Sequence, residues 1–152
     1  MLAAYLVALT SCGRVEYRAD FALPGSDLVV AVILRHSHPY LAEYDRELLF
    51  GPRDGLSERI TLFPDTGGYA LINLYQIGAS SYLVKTIGND DYTLNVDDAR
   101  ITSRATLSDQ QRVVPPDAQF VGAFDFAPAP TWRFIPASER AERLIGEIYN
   151  RE

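Results

Sequence analysis

The chain of 152 residues carries a formal net charge of −6, and 47% of its residues are hydrophobic while 22% are charged. This length and composition fit one folded domain and argue against wholesale disorder. The 14 basic residues form no cluster that would neutralise several phosphates, so we expect no nucleic-acid partner.

The chain begins with a short apolar run at residues 2–9 that leads through Thr10 and Ser11 to the only cysteine, Cys12. A membrane-spanning helix needs about 20 apolar residues, so this run fits the apolar region of a signal peptide better. Leu9-Thr10-Ser11-Cys12 resembles the lipobox of bacterial lipoproteins, in which the cysteine is lipidated and becomes the first residue of the mature protein. A start codon further upstream would supply the positive residues that normally precede such a run.

The lipobox resemblance implies an organisation and a location. Residues 1–11 are then a signal peptide, residues 12–27 an anchor and linker, and residues 28–152 a single β-rich domain. Acyl chains on Cys12 would hold the protein on a membrane, facing the periplasm or the exterior. Gly13 after the cysteine favours the outer membrane, if the host has one. The open alternative is a cytosolic β domain whose N-terminus is its first strand.

Most of the remaining chain predicts β-strands. Apolar, β-branched and aromatic runs separated by turn residues give strands at residues 28–34, 40–50, 58–63, 69–77, 82–87, 92–96, 120–126 and 132–135. Pro64-Asp65-Thr66-Gly67-Gly68 predicts a turn, and residues 103–119 a long exposed connection. Because the connections at 78–81 and 88–91 have hairpin lengths, the strands from 69 to 96 predict an antiparallel meander.

The end of the chain predicts its one helix, over about residues 139–149. Ser138 is a candidate N-cap, and an apolar stripe runs along one face. The stripe consists of Ala141, Leu144, Ile145, Ile148 and Tyr149. A lone helix of this length is marginal in water, so we expect it to dock on the protein's own sheet rather than on another chain. The predicted fold is therefore mainly β, an antiparallel meander forming a small barrel or sandwich with this amphipathic helix packed on it.

The only two histidines give a candidate metal site. On a strand, His36 and His38 would face the same side, and Glu43 follows close behind. This His-x-His-x4-Glu pattern is similar to the first half of the cupin metal motif, and the resemblance implies a metal held by two histidines and a carboxylate. The later histidine of that motif is missing, so we favour a turn with two solvent-facing histidines and expect neither metal nor cofactor.

Aromatic residues on the predicted strands are candidate contact residues. These are Tyr69, Tyr75, Tyr82, Tyr92 and Trp132. Tyr and Trp are enriched where proteins meet partners, but the same side chains also fill cores, which we favour here.

Three functions follow from these patterns. The leading one is a lipid-anchored, envelope-facing binding or accessory protein of the interaction, inhibitor or immunity type, non-catalytic and with a protein partner in the envelope. The alternatives are a small cupin-like metal protein or enzyme using His36, His38 and Glu43, and a cytosolic β domain of unknown role.

Overall fold

A computed structural model describes residues 15–38, 40–41, 43–65, 70–86, 91–104, 113–126 and 131–143. These residues form two antiparallel sheets, so the prediction of a mainly β, antiparallel fold is confirmed. No helix among the described residues is long and apolar enough to cross a membrane.

The first sheet contains four strands. They are β1 (Glu16–Ala22), β2 (Leu28–His36), β3 (Tyr44–Pro52) and β4 (Glu58–Asp65). They pair in chain order through successive hairpins. In the turn between β1 and β2, Gly25 has a φ of 74°, which glycine adopts without the steric cost of a Cβ.

The second sheet contains six strands. They are β5 (Ile72–Gly78), β6 (Ser81–Lys85), β7 (Tyr92–Asn95), β8 (Arg100–Ser103), β9 (Gln119–Phe126) and β10 (Trp132–Pro136). Their order is β10-β9-β5-β6-β7-β8. The strands from β5 to β8 follow one another in space as in sequence, and β5 to β7 confirm the meander predicted for residues 69–96. β9 then returns to pair with the other side of β5.

The two sheets enclose one shared hydrophobic core. Because side chains alternate between the faces of a strand, every second residue of each central strand points into it. Val30, Val32 and Leu48 enter from the first sheet, and Leu74 and Phe124 enter from the second. All five are fully buried. Burying each such side chain contributes about 1.5–3 kcal/mol, so this core is the main source of stability.

The molecule has two ends that recur below. The entry end is where β1 begins, β2 ends at His36, β3 begins at Tyr44 and β10 begins at Trp132. The far end is where β2 begins at Leu28, β5 ends at Gly78 and β9 begins at Gln119. Strand register places these groups at opposite ends of the shared core.

The structure bears on three details of the sequence-based predictions. The segment 12–27, expected to be anchor and linker, contains β1, which pairs with β2 along its whole length. Pro64 and Asp65 belong to β4 and not to a turn, because β4 continues until Asp65 lies opposite Tyr44. The described residues form two separate sheets and no closed barrel, so they favour the two-sheet alternative.

The predicted C-terminal helix is not seen where the structure describes the chain. Residues 137–139 form a turn, residue 140 a bend, and residues 141–143 have no regular structure. Residues 144–149, which carry most of the apolar stripe, lie outside the described residues. The same holds for Cys12, for residues 66–68 of the predicted turn, for Tyr69, and for residues 105–112 of the predicted long connection.

Candidate functional site

A groove of about 250 Å³ opens at the far end of the second sheet. Its floor and walls come from β5, β6, β9 and β10 together with the β1–β2 turn. The lining residues are Pro24, Gln76, Tyr82, Gln119, Phe120, Val121, Pro136, Ala137 and Ser138. The groove therefore combines aromatic and proline surfaces with two side-chain amides.

Short backbone contacts fix the two rims of the groove. On one rim, the Ala137 amide donates to the Val121 carbonyl at 2.9 Å, which carries the chain beyond β10 alongside β9. On the other rim, the Leu23 amide donates to the Leu28 carbonyl at 2.9 Å and closes the turn that presents Pro24. Both rims are therefore part of the folded framework.

Three polar groups in the groove are available to a ligand. Gln76 and Gln119 are direct cross-strand partners on β5 and β9. Within the described part of the chain, neither of their amides nor the Tyr82 hydroxyl has a hydrogen-bond partner. Burial raises the pKa of Tyr82 above its usual value, so its hydroxyl keeps its proton at neutral pH. The groove thus offers donors and acceptors without a fixed charge.

The size and lining of the groove favour binding of a small segment. Pockets that hold drug-sized molecules measure about 300–1,000 Å³, which is more than this groove provides. No His, Cys, Asp or Glu is among the residues that line it. Its chemistry is therefore that of recognition, by apolar contact and by hydrogen bonds of amide groups.

The three predicted metal ligands make other contacts at the entry end. The His36 ring packs against two tyrosine rings, with its centroid 4.6 Å from that of Tyr44 and 5.8 Å from that of Tyr17. His38 accepts two backbone hydrogen bonds through Nδ1, and the Glu43 carbonyl accepts one from the Ser37 amide at 3.1 Å. No three His, Cys, Asp or Glu residues in the described ranges are grouped to hold a metal ion. The metal hypothesis gains no support from these contacts.

The predicted aromatic contact residues lie mostly inside the protein. Tyr75, Tyr82, Tyr92 and Trp132 are only 2–6% exposed, so they form no open aromatic face. Among these four, Tyr82 lines the groove. These four side chains are therefore packed mainly inside the protein, and the candidate contact surface lies at Gln76, Gln119 and Val121.

A partly buried polar network lies on the outer face of the second sheet. The Tyr75 hydroxyl donates to Glu142 Oε1 at 2.7 Å and accepts from Asn73 Nδ2 at 3.1 Å. Asn73 Nδ2 also donates to the Arg143 carbonyl at 2.9 Å. An ion pair between Arg140 and Asp125 adds a further contact. These bonds hold residues 140–143 against the outer face of the sheet.

Replacing Tyr75 with phenylalanine is expected to lower the free energy of unfolding by about 1–3 kcal/mol. The change removes the hydroxyl that serves both the Glu142 carboxylate and the Asn73 amide. Urea unfolding at neutral pH measures the effect. Tyr40→Phe is the matched control, since the Tyr40 side chain is exposed and its loss should change stability by a few tenths of a kcal/mol.

The same variant tests a pH dependence. Burial, and then the hydrogen bond to Glu142, raises the pKa of Tyr75 above the ordinary value of 10.0. When the pH exceeds that ordinary pKa, the unfolded chain loses the Tyr75 proton that the folded protein keeps. Tyr75 therefore contributes stability at lower pH, and this contribution is lost as the pH rises. Stability should therefore fall above about pH 10, and fall less steeply in Tyr75→Phe. An identical alkaline slope in both proteins would contradict this assignment.

Comparisons with protein-family models, with curated proteins and with solved structures find no match for this chain.

Proposed function

We propose that the protein is a lipid-anchored, envelope-facing binding protein that receives an extended segment of a protein partner in the groove at the far end. The observation that carries this proposal is the pair of side-chain amides, Gln76 and Gln119, that lie side by side in an apolar groove without partners in the described structure. The lipobox-like sequence at Cys12 supports the anchor.

A polypeptide segment fits this groove for two reasons. Each glutamine amide carries a donor and an acceptor, so it can pair with the N–H and C=O groups of a peptide backbone. Val121 and the two prolines of the groove, Pro24 and Pro136, offer apolar contact for one or two side chains of such a segment. Peptide recognition commonly combines these two features, with backbone hydrogen bonds for affinity and small pockets for specificity.

The position of the groove is consistent with membrane attachment. The polypeptide reaches the first strand at the entry end, where the His36 amide donates to the Val15 carbonyl. Since Cys12 lies only three residues before Val15, a lipid on Cys12 would keep the entry end at the membrane. The groove at the far end would then face away from the membrane, toward partners.

Site-specific photocrosslinking in the native cell tests this proposal. A photoreactive phenylalanine analogue at Gln119 is expected to crosslink one envelope protein, and the combined change Gln76→Ala and Tyr82→Phe should reduce that product without changing the unfolding temperature greatly. The same analogue at Thr61, exposed on the other sheet, is the control. No product at Gln119, or the same product at both positions, would contradict the proposed binding role.

We also propose that residues 144–149 continue the C-terminal segment as the predicted helix and pack on the outer face of the second sheet. Residues 140–143 already lie against this face, which contains the buried side chains of Leu83 and Ile135. Ile145→Ala is expected to lower the free energy of unfolding by about 2–5 kcal/mol, as truncations of buried Ile do. Arg143→Ala, with an exposed side chain, should have a much smaller effect, and equal small effects would contradict the docking.

A further inference from the structure

We propose that the entry end lies directly on a neutral lipid surface, with the side chains of Tyr40, Leu41 and Phe63 at the boundary between headgroups and acyl chains. This inference concerns a different surface from the groove. It rests on the proposed function only in taking the N-terminus to be held at a membrane.

Exposed apolar side chains are concentrated at the entry end. The large hydrophobic residues that are exposed in the described structure are Val15 (53%), Tyr40 (90%), Leu41 (52%), Phe63 (68%) and Val113 (64%). All but Val113 belong to strand ends or to the hairpin at the entry end. Single exposed apolar residues are ordinary, but a group of them at one end of a small domain marks a contact surface.

The strand order spreads these four residues along the entry-end edge of the first sheet. The Val15 carbonyl accepts from the His36 amide at the end of β2. Tyr40 and Leu41 lie in the connection between β2 and β3. Phe63 lies near the end of β4, where its carbonyl accepts from Arg46 Nε at 2.8 Å. The group therefore extends across the ends of all four strands of the first sheet.

The hairpin that presents Tyr40 and Leu41 is suited to a surface where water is scarce. His38 Nδ1 accepts from the backbone amides of both residues, at 3.2 Å each. An amide without a partner is costly near hydrocarbon, so a turn that satisfies its own donors can approach lipid at lower cost. The arrangement also leaves the ring of Tyr40 and the side chain of Leu41 pointing into solvent, where they are exposed.

The reach of the N-terminal segment places this surface close to the lipid. Three residues span Cys12 to Val15, and an extended chain of three residues reaches at most about 10–11 Å. A lipid on Cys12 would therefore hold the entry end within about 10–11 Å of the membrane surface. Membrane proteins commonly place tyrosine at this depth, because its ring is apolar and its hydroxyl is polar.

The charge of the protein favours contact with a neutral lipid surface. The net charge of −6 gives the protein no general attraction for anionic headgroups. At the entry end, Glu43 directly precedes β3, Asp45 belongs to β3, and Glu16 of β1 pairs with Arg35. Contact through Tyr40, Leu41 and Phe63 is thus driven by apolar burial, and a zwitterionic surface is its expected target.

Depth-dependent fluorescence quenching tests this orientation without relying on natural lipidation. The full chain with Cys12→Ser and an N-terminal hexahistidine tag is held on phosphatidylcholine vesicles that contain a nickel-chelating lipid and brominated acyl chains. The probe variant is Tyr40→Trp, and Asp54→Trp in the exposed β3–β4 loop at the far end is its control. The emission of Tyr40→Trp is expected to fall about twofold or more relative to vesicles without bromine. The emission of Asp54→Trp should be quenched no more than that of the parent chain.

A second change separates lipid contact from self-association of the protein. Adding Leu41→Ser to the Tyr40→Trp chain should reduce quenching, whereas adding Val113→Ser should not, and both sites are exposed enough for the fold to tolerate the change. Equal quenching at positions 40 and 54 would overturn the proposal. The proposal would also be overturned if the emission of Tyr40→Trp is not quenched and the protein self-associates in solution in a way that Leu41→Ser abolishes. The surface would then bind a second copy of the chain. If the native protein carries no lipid, the proposed anchor is refuted, but the quenching measured on the tag-tethered chain is unchanged.

Discussion

Replacing Lys85 with methionine is expected to lower the free energy of unfolding by about 3–5 kcal/mol, the usual cost of breaking a buried ion pair from one side. Lys85 is the only lysine of the chain, and its Nζ lies 2.8 Å from Asp91 Oδ2. Asp91 is 1% exposed, and its other carboxylate oxygen has no hydrogen-bond partner in the described structure. The variant therefore leaves a buried negative charge without its cation. Urea unfolding at neutral pH measures the loss.

Two further variants show whether the buried charge is the cause. Arg18→Met removes the cation of an exposed pair with Asp20 and should cost at most about 1 kcal/mol. Combining Lys85→Met with Asp91→Leu should recover much of the lost stability, because replacing both partners of a buried pair with apolar residues is often neutral. A double variant as unstable as Lys85→Met alone would show that the pair does not act in this way.

Truncating Phe124 to alanine is expected to cost about 3–5 kcal/mol. The side chain is fully buried at the centre of the shared core, and its ring lies 5.0 Å from that of Phe134. Removal leaves a cavity between the two sheets that neighbouring side chains fill only in part. Thermal and urea unfolding report the change.

Phe63→Ala is the matched control, because the chemical change is the same and the side chain is 68% exposed. It should alter stability by about 0.5 kcal/mol or less. Similar losses in the two variants would contradict the assignment of Phe124 to the core and of Phe63 to the surface. The pair also separates stability from the proposed lipid contact, since only Phe63 belongs to the entry-end surface.

The sequence predicted most strands because their residues follow a local rule. Residues 28–34 are apolar at both odd-numbered and even-numbered positions, and β2 is buried on both faces. The hairpin-length connections between β5, β6 and β7 likewise determined the meander. β1 was missed although its alternation is clear, with Tyr17, Ala19 and Phe21 facing the core. Its proximity to the lipobox-like sequence led to its assignment as a linker.

The groove could not be predicted because it depends on pairing between distant parts of the chain. Gln76 and Gln119 become neighbours only when β9 pairs with β5, and neither belongs to a local motif. The aromatic residues posed a related problem. Tyr75 lies on the outer face of its sheet, where strand alternation alone predicts exposure, but its contact with Glu142 from the C-terminal segment accompanies its burial. Long-range contacts of this kind carry no signal in a single sequence.

The most direct test of the lipid anchor, on which the proposed function depends, is the intact mass of the protein extracted in detergent from its native membrane. The expected species begins at Cys12, lacks residues 1–11 and carries the added mass of acyl chains. Cys12→Ala should abolish that modification. An unmodified chain that begins at Met1 and is recovered in the soluble fraction would contradict the proposal.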